Sequence, residues 1–210
     1  MLIDKSIQDL RKEVSLMARR CEEIFEKAGA SIWVGDESVV EAVRAMDIRI
    51  DEDEMRIDRM CMELLALKEP YGIDFRYVFS VVKSIIDLER VGDQSKTIAK
   101  WARKLSAVPG EDMRELREKS AEALRTAVDA LTTGDAGLAR EVMQLEFQVD
   151  LIEDRIIEQS TDVAEAFIAK ALERIGDLAT NIAENVIFSV KAEDIRHGNF
   201  NSPSRSSVVR

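Results

Sequence analysis

One histidine, two cysteines and three prolines in 210 residues leave little from which to build most enzymes. His197 stands near the C-terminus, whereas a ferritin-like di-iron site needs a Glu-x-x-His from each of two helices. A carboxylate-bridged di-metal oxidase is therefore a remote alternative, and no catalytic residue is assigned. Cys21 and Cys61 form no CxxC pair, which argues against a zinc or redox site and for two small buried side chains. Aromatics make up 5% of the chain and glycines number nine, too little bulk and turn material for a β-sandwich. The longest apolar stretch, Tyr77 to Leu88, is too short to span a bilayer and holds Lys83. No basic segment followed by an apolar run opens the chain, so no signal peptide is expected. No dense run of lysine and arginine offsets a formal net charge of −11, which excludes nucleic acid and anionic lipid as ready partners.

What is present points to long helices. A 46% hydrophobic share supplies a core, and a 34% charged share supplies wide solvated faces. The acidic surface suits cations or a basic protein partner. Arg11, Lys12, Arg19 and Arg20 make the first helix comparatively basic and a candidate docking face. A soluble cytoplasmic protein without membrane insertion is expected, ending in a polar, serine-rich segment, 199–210, expected to be disordered.

The chain repeats itself. Gly35-Asp36 and Gly134-Asp135 each open a helical pattern, 99 residues apart. At the same offset Val39, Val43, Met46, Ile50 and Ile57 correspond to Leu138, Val142, Leu145, Val149 and Ile156. Steps of four and three are the seam of a helix in a bundle. A second match, at an offset of 84, pairs Leu88-Glu-Arg-Val-Gly-Asp93 with Leu172-Glu-Arg-Ile-Gly-Asp177. Each half reads as three helices: 4–28, 37–68 and 73–105 in the first, 112–132, 137–159 and 162–191 in the second. The expected fold is all-α, with two tandem antiparallel three-helix bundles over 1–106 and 107–198, set end to end as the simplest arrangement.

Carboxylates fall at helical spacing beside the seams. Asp47, Asp51 and Glu54 form one stripe on the second helix, and Glu146, Asp150 and Glu153 form its counterpart. Glu89 and Asp93, and likewise Glu173 and Asp177, lie four apart on the third helix of each half. Residues equally distant from a hairpin turn sit at one height. Asp51 with Glu89, and Asp47 with Asp93, both centre on Pro70. Asp150 with Glu173, and Glu146 with Asp177, both centre on the Thr161–Asp162 turn. Four carboxylates per half thus arrive at one level, and they repel unless a cation neutralises them. The bland reading, acids paired with neighbouring Lys or Arg, contributes at most about 0.5 kcal/mol per pair. Gly92 and Gly176 fall on the seam of the third helices, where they permit the facing helix to approach. An all-oxygen ligand set favours Mg, Mn, Ca or oxidised Fe over Cu, with Zn open through carboxylates.

These motifs resemble those of the PhoU family of phosphate-signalling regulators, over nearly the whole chain. Lys-Glu-Pro70-Tyr-Gly-Ile-Asp74-Phe-Arg76 looks like the family's proline turn, and the two hexapeptides with Asn181-Ile-Ala-Glu184 look like its signature. Asp194-Ile-Arg-His197 resembles its usual close. The resemblance implies six helices, a non-enzymatic role, and multinuclear clusters of Fe, Mn, Mg or Zn. Its ligands would be Asp47, Asp51, Glu89 and Asp93 in one cluster and Glu146, Asp150, Glu173 and Asp177 in the other, with Glu54, Glu153 and Glu184 as further candidates. It also implies repression of phosphate-starvation signalling, in contact with the ATPase subunit of the phosphate ABC importer and with a sensor histidine kinase. Location would be cytoplasmic, at the inner face of the membrane through protein partners, and homodimers occur in the family. An accessory protein of another transport system and a metal-free helical scaffold stay open. Two departures stand out: the second hairpin lacks the outer segment carrying the proline turn, and Thr97 replaces Asn181, so the two sites need not bind equally.

Overall fold

The computed structural model describes residues 2–196, which form six helices: α1 Leu2–Val34, α2 Glu37–Leu67, α3 Gly72–Ala102, α4 Glu111–Thr133, α5 Ala136–Gln159 and α6 Val163–Lys191. The expected disorder of 199–210 and the setting of His197 lie outside the described residues. The Gly-Asp pairs have a mechanical role. Gly35 and Gly134 take the left-handed conformation (φ +64° and +71°) that ends α1 and α4, a conformation open to glycine without strain. The following aspartates cap the next helices: Asp36 accepts from the Ser38 amide at 2.8 Å, and Asp135 from the Gly137 amide at 2.7 Å. α1 runs six residues past the expected end at Ala28, because Ala28, Ser31 and Ile32 continue its buried face up to Gly35.

The two halves do not sit end to end. They lie side by side, with α3 antiparallel to α6 at the centre. At one end Phe79 meets Phe188 edge-on at 6.2 Å, and Arg76 Nε donates to the Ser189 carbonyl at 3.1 Å. At the other end Trp101 stacks on Phe167 at 4.2 Å. α1 and α4 also meet, through an Arg117–Glu26 ion pair and Arg114 over the Trp33 ring. α2 packs on α1 and α3, and α5 on α4 and α6, so both hairpins put their acidic helix on an outer flank. One hydrophobic core runs through both repeats. The difference from the expected layout has a simple cause. α3 buries Ser80, Ser84, Asp87 and Ser95 as well as its apolar seam, and α6 buries Thr180, Asn185 and Ser189 as well as its own. Small and polar residues form this second buried face, so it does not read as a seam.

Both cysteines are buried and unpaired, and Cys21 Sγ donates to the Leu88 carbonyl at 3.3 Å. Of the candidate docking residues Arg11, Lys12, Arg19 and Arg20 of α1, two are used inside the fold. Arg20 pairs with the buried Asp53, and Arg11 covers the Tyr77 ring at 4.0 Å.

Asp162 ties the repeats together at one corner. It caps α6 through the Ala164 amide at 2.7 Å and accepts from the Ser106 amide and hydroxyl, in the link between halves, at 2.9 and 2.6 Å. Ser106 is the main cause that lowers its pKa to about 2. A lowered carboxylate pKa contributes stability above the unfolded value and loses it as pH falls through the folded one. Asp162→Ala is expected to cost about 1 kcal/mol for the cap alone, and more than Asp135→Ala because the Ser106 bonds go too. The gap between wild type and Asp162→Ala should hold at neutral pH and close as pH falls towards 2, measured by denaturant melts.

Candidate metal centres

Each hairpin holds its acids between the outer helix and the central one. In the second half three of the four expected ligands converge. Carboxylate oxygens of Asp150, Glu173 and Asp177 all lie within 4.8 Å of one another, the one such group among the described residues. All three are half-buried. Glu146 stands beside them: burial first, then the charges of Asp150, Asp177 and Glu184, lift its pKa to about 7, against the Thr180 hydroxyl. Glu173 is raised by burial and by Asp177. Positive charge comes from the rim, where Arg174 pairs with Asp177 at 2.9 Å and Lys170 with the buried Glu153 at 2.9 Å. Arg174 and Lys170 reach out from exposed positions, with side chains 48% and 58% exposed.

The first half is assembled differently. Asp47 is 4% exposed, while Asp51 and Glu89 are half-buried and Asp93 exposed. Burial, followed by Asp93, Glu54, Asp51 and Asp47, lifts Glu89 to about 7, so all four acids and Glu54 share one field. Their oxygens do not close into a mutual group like the second one. Lys96 Nζ instead sits 2.5 Å from Asp47 Oδ2 and 2.7 Å from Asp93 Oδ1. Burial raises the Asp47 pKa while Lys96 holds it down, and Asp47 Oδ1 has no hydrogen-bond partner.

The seam glycines act as close-contact points, with different neighbours. A Cβ on Gly92 would lie 2.7 Å from Asp47 Oδ1, and one on Gly176 would lie 3.1 Å from Val149 Cγ1. Gly92 therefore seats a ligand candidate directly, and Gly176 seats the seam beside one. The arginine of each hexapeptide also finds a place. Arg90 lies 3.8 Å from Asp87 Oδ1, and Arg174 bonds Asp177. Asp87, bonded across the α3–α6 interface to Asn181, is raised by burial to about 6.

Asp87 and a second group of engaged carboxylates were not legible beforehand. Asp53, 1% exposed, is held by Arg20 and Arg56, and Arg56 also bonds Glu13 at 2.6 Å. Asp53 and Arg56 show the helical three-residue spacing, but Arg20 comes from α1 and gave no signal. Lys96 did give one, since the offset of 84 that aligns the hexapeptides sets it against Thr180.

The donor chemistry of the second half fits a hard cation. Its candidate donors are all oxygen, three of them converge, and burial with the neighbouring acids pushes Glu146 and Glu173 up. The first half offers the same residue types, with an ammonium already between two of them.

The PhoU domain family matches residues 14–102 and 113–186 of the chain, both repeats in turn. The chain belongs to the PhoU family. The phosphate-specific transport system accessory protein PhoU homolog of Pseudomonas aeruginosa is 32% identical over 211 residues, covering 91% of this chain and 86% of that protein. PhoU of Escherichia coli K12 is 25% identical over 207 residues, with 91% and 86% covered. The crystal structure of PhoU from Pseudomonas aeruginosa superposes with a TM-score of 0.83 at 29% identity, over 90% of this chain and 99% of that one. The phosphate transport system regulatory protein PhoU from Streptococcus pneumoniae gives 0.84 at 25% identity, over 93% and 100%. The six-helix architecture is thus the PhoU fold.

The glycines provide a test. Alanine in a helix interior gains about 1 kcal/mol over glycine, while overpacking costs about 1–3 kcal/mol. Gly92→Ala must displace a short buried carboxylate and should lower stability. Gly176→Ala asks only a few tenths of an ångström of Val149 and should be near neutral. Urea melts of the two variants check the difference.

Proposed function

We propose that this protein is an accessory regulator of phosphate transport that represses phosphate-starvation signalling by linking an ABC phosphate importer to a sensor histidine kinase. The observation that carries the proposal is the family match through both repeats, shared with relatives named as phosphate-specific transport system accessory proteins. The ATPase subunit of the importer and the kinase are the partners in this reading. They would bring the protein to the inner face of the membrane, since no described helix is long and apolar enough to cross one. The role is that of a non-catalytic adaptor, and the boundary between its two repeats falls in the link from 103 to 110. The exposed Tyr71, Ile73 and Phe75 at the tip of the first hairpin offer an aromatic contact surface, whereas the tip of the shorter second hairpin exposes the aliphatic Ile157 and Val163.

The carboxylate clusters are read as metal sites, with Asp150, Glu173 and Asp177 as the core of one and Glu146 beside them. Asp47, Asp51, Glu89 and Asp93 are the corresponding candidates in the other. A bound Fe, Mn, Mg or Zn ion would supply the positive charge that lets these acids stay ionised together. The residues' own part is to join α5 to α6, and α2 to α3, at one height and so hold the flank surfaces in register.

Deleting the gene should raise phosphatase expression in phosphate-rich medium; unchanged repression would count against the regulatory role. For the metal, Mn2+ at a hundredfold excess over its dissociation constant should stabilise the chelated protein by about 2.7 kcal/mol. Asp150→Asn with Glu173→Gln should abolish that gain.

A further inference from the structure

α2 carries two apolar rows. Val43, Ile50, Ile57 and Leu64, each seven residues from the next, are buried where the helix packs on α1 and α3. Ile48, Met55 and Met62 keep the same step two residues earlier, about 160° round the helix at 3.6 residues per turn. They are 58%, 55% and 55% exposed, so the second row points away from the core. The outward face of a surface helix is ordinarily polar, and apolar residues scattered singly on a surface need no account. A row held to a seven-residue step is another matter, because that is the pattern by which one helix lies along a second. It runs for about 21 Å. Arg59 adds to it, since its Nε donates to the Met55 carbonyl at 3.1 Å and folds its methylene stem back beside Met55.

One sign of charge prevails beside the row. Asp51 and Asp58 flank it on the side of α3, and Glu52 and Glu63 on the side of α1, against Arg49 and Arg59. The ion pairs of α2 use Glu37, Glu41, Asp47 and Asp53. The four flanking acids stand outside any ion pair among the described residues. A second copy of the chain laid on this face would bring acid against acid, and an anionic membrane surface would do the same. A helix with one apolar stripe and lysines or arginines beside it matches both the row and its charge. Methionine suits such a contact, being unbranched and able to adapt to the surface it meets. The second repeat has no equivalent: at the offset of 99 the row becomes Phe147, Asp154 and Thr161. We propose that the outward face of α2 is a docking surface for a basic amphipathic helix of a partner protein, carried by the first repeat alone. It rests on the reading of this protein as an adaptor, and not on the metal sites.

The probe is a fluorescein-labelled Leu–Lys model peptide, helical, with leucines at steps of three and four and no acidic residue. Its anisotropy is followed on titration with the full chain. Wild type should bind it, less tightly as salt rises. Met55→Gln with Met62→Gln should weaken binding about tenfold without lowering the melting temperature, since both side chains are exposed. Glu52→Gln with Glu63→Gln should weaken it too and flatten the salt dependence, and serves if the methionine variant does not fold. Phe147→Gln with Leu151→Gln, at the exposed apolar pair of α5, should leave binding unchanged. A scrambled peptide of equal charge, its leucines no longer on one side, should bind about tenfold more weakly than the amphipathic one. Equal binding of the two peptides, or equal loss from the α2 and α5 variants, would reduce the contact to general attraction between opposite charges and overturn the proposal. So would a wild type that does not bind the peptide. Sedimentation in which the methionine substitutions dissociate a wild-type dimer would put a second copy on the row and overturn it as well. Failure to bind alongside derepressed phosphatase in the gene deletion would remove this surface and leave the regulatory reading standing.

Discussion

Repulsion between carboxylates held at one height is the constraint around which both hairpins are built. Asp and Glu side chains are short, so they face one another only where two helices come close, and closeness raises the cost of their charge. Glu89 and Glu146, each lifted to about 7 by burial and neighbouring acids, record that cost at corresponding places in the two halves. Lys96 and Lys170, which pair with these acids, each join an outer helix to a central one. Electrostatics and hairpin closure are therefore the same interaction seen from two sides.

The central helices meet different demands. α3 and α6 each serve a hairpin on one side and each other on the remaining side, which explains why both bury so many small polar residues. Aromatic contacts at either end of the antiparallel pair, Phe79 with Phe188 and Trp101 with Phe167, close the ends of that interface. Between them, the Asn181 side-chain amide donates a hydrogen bond to the Asp87 carboxylate across it. A change at either acidic flank thus borders directly on the element shared by the two repeats, a short physical path by which one hairpin can influence the other.

Much of the fold was readable in advance. Six helices and an internal repeat followed from seams of four and three and from Gly-Asp pairs. Those pairs end one helix with a left-handed glycine and start the next with an aspartate cap. The height of the acids followed from counting outward from two turns, and in the second half three of them do converge. The side-by-side layout was not readable. Ser80, Ser84, Asp87 and Asn185 look like solvated positions by residue type, and their burial depends on a helix about a hundred residues away. Asp53 was missed for the same reason, because Arg20 reaches it from another helix.

The hexapeptide Leu-Glu-Arg-Val/Ile-Gly-Asp shows where the division falls. Its leucine, glycine, glutamate and aspartate took their places from spacing alone, since helical period and turn position are local properties that fix which face a residue occupies and at what height. What each face meets is not local. Tertiary packing decided that Gly92 seats Asp47 whereas Gly176 seats Val149, and that Lys96 bridges Asp47 to Asp93 across two helices while Arg174 pairs with Asp177 along one. Packing decided these points because a side chain's charge partner is set by the neighbouring helix it can reach, and no periodicity within its own helix records that distance.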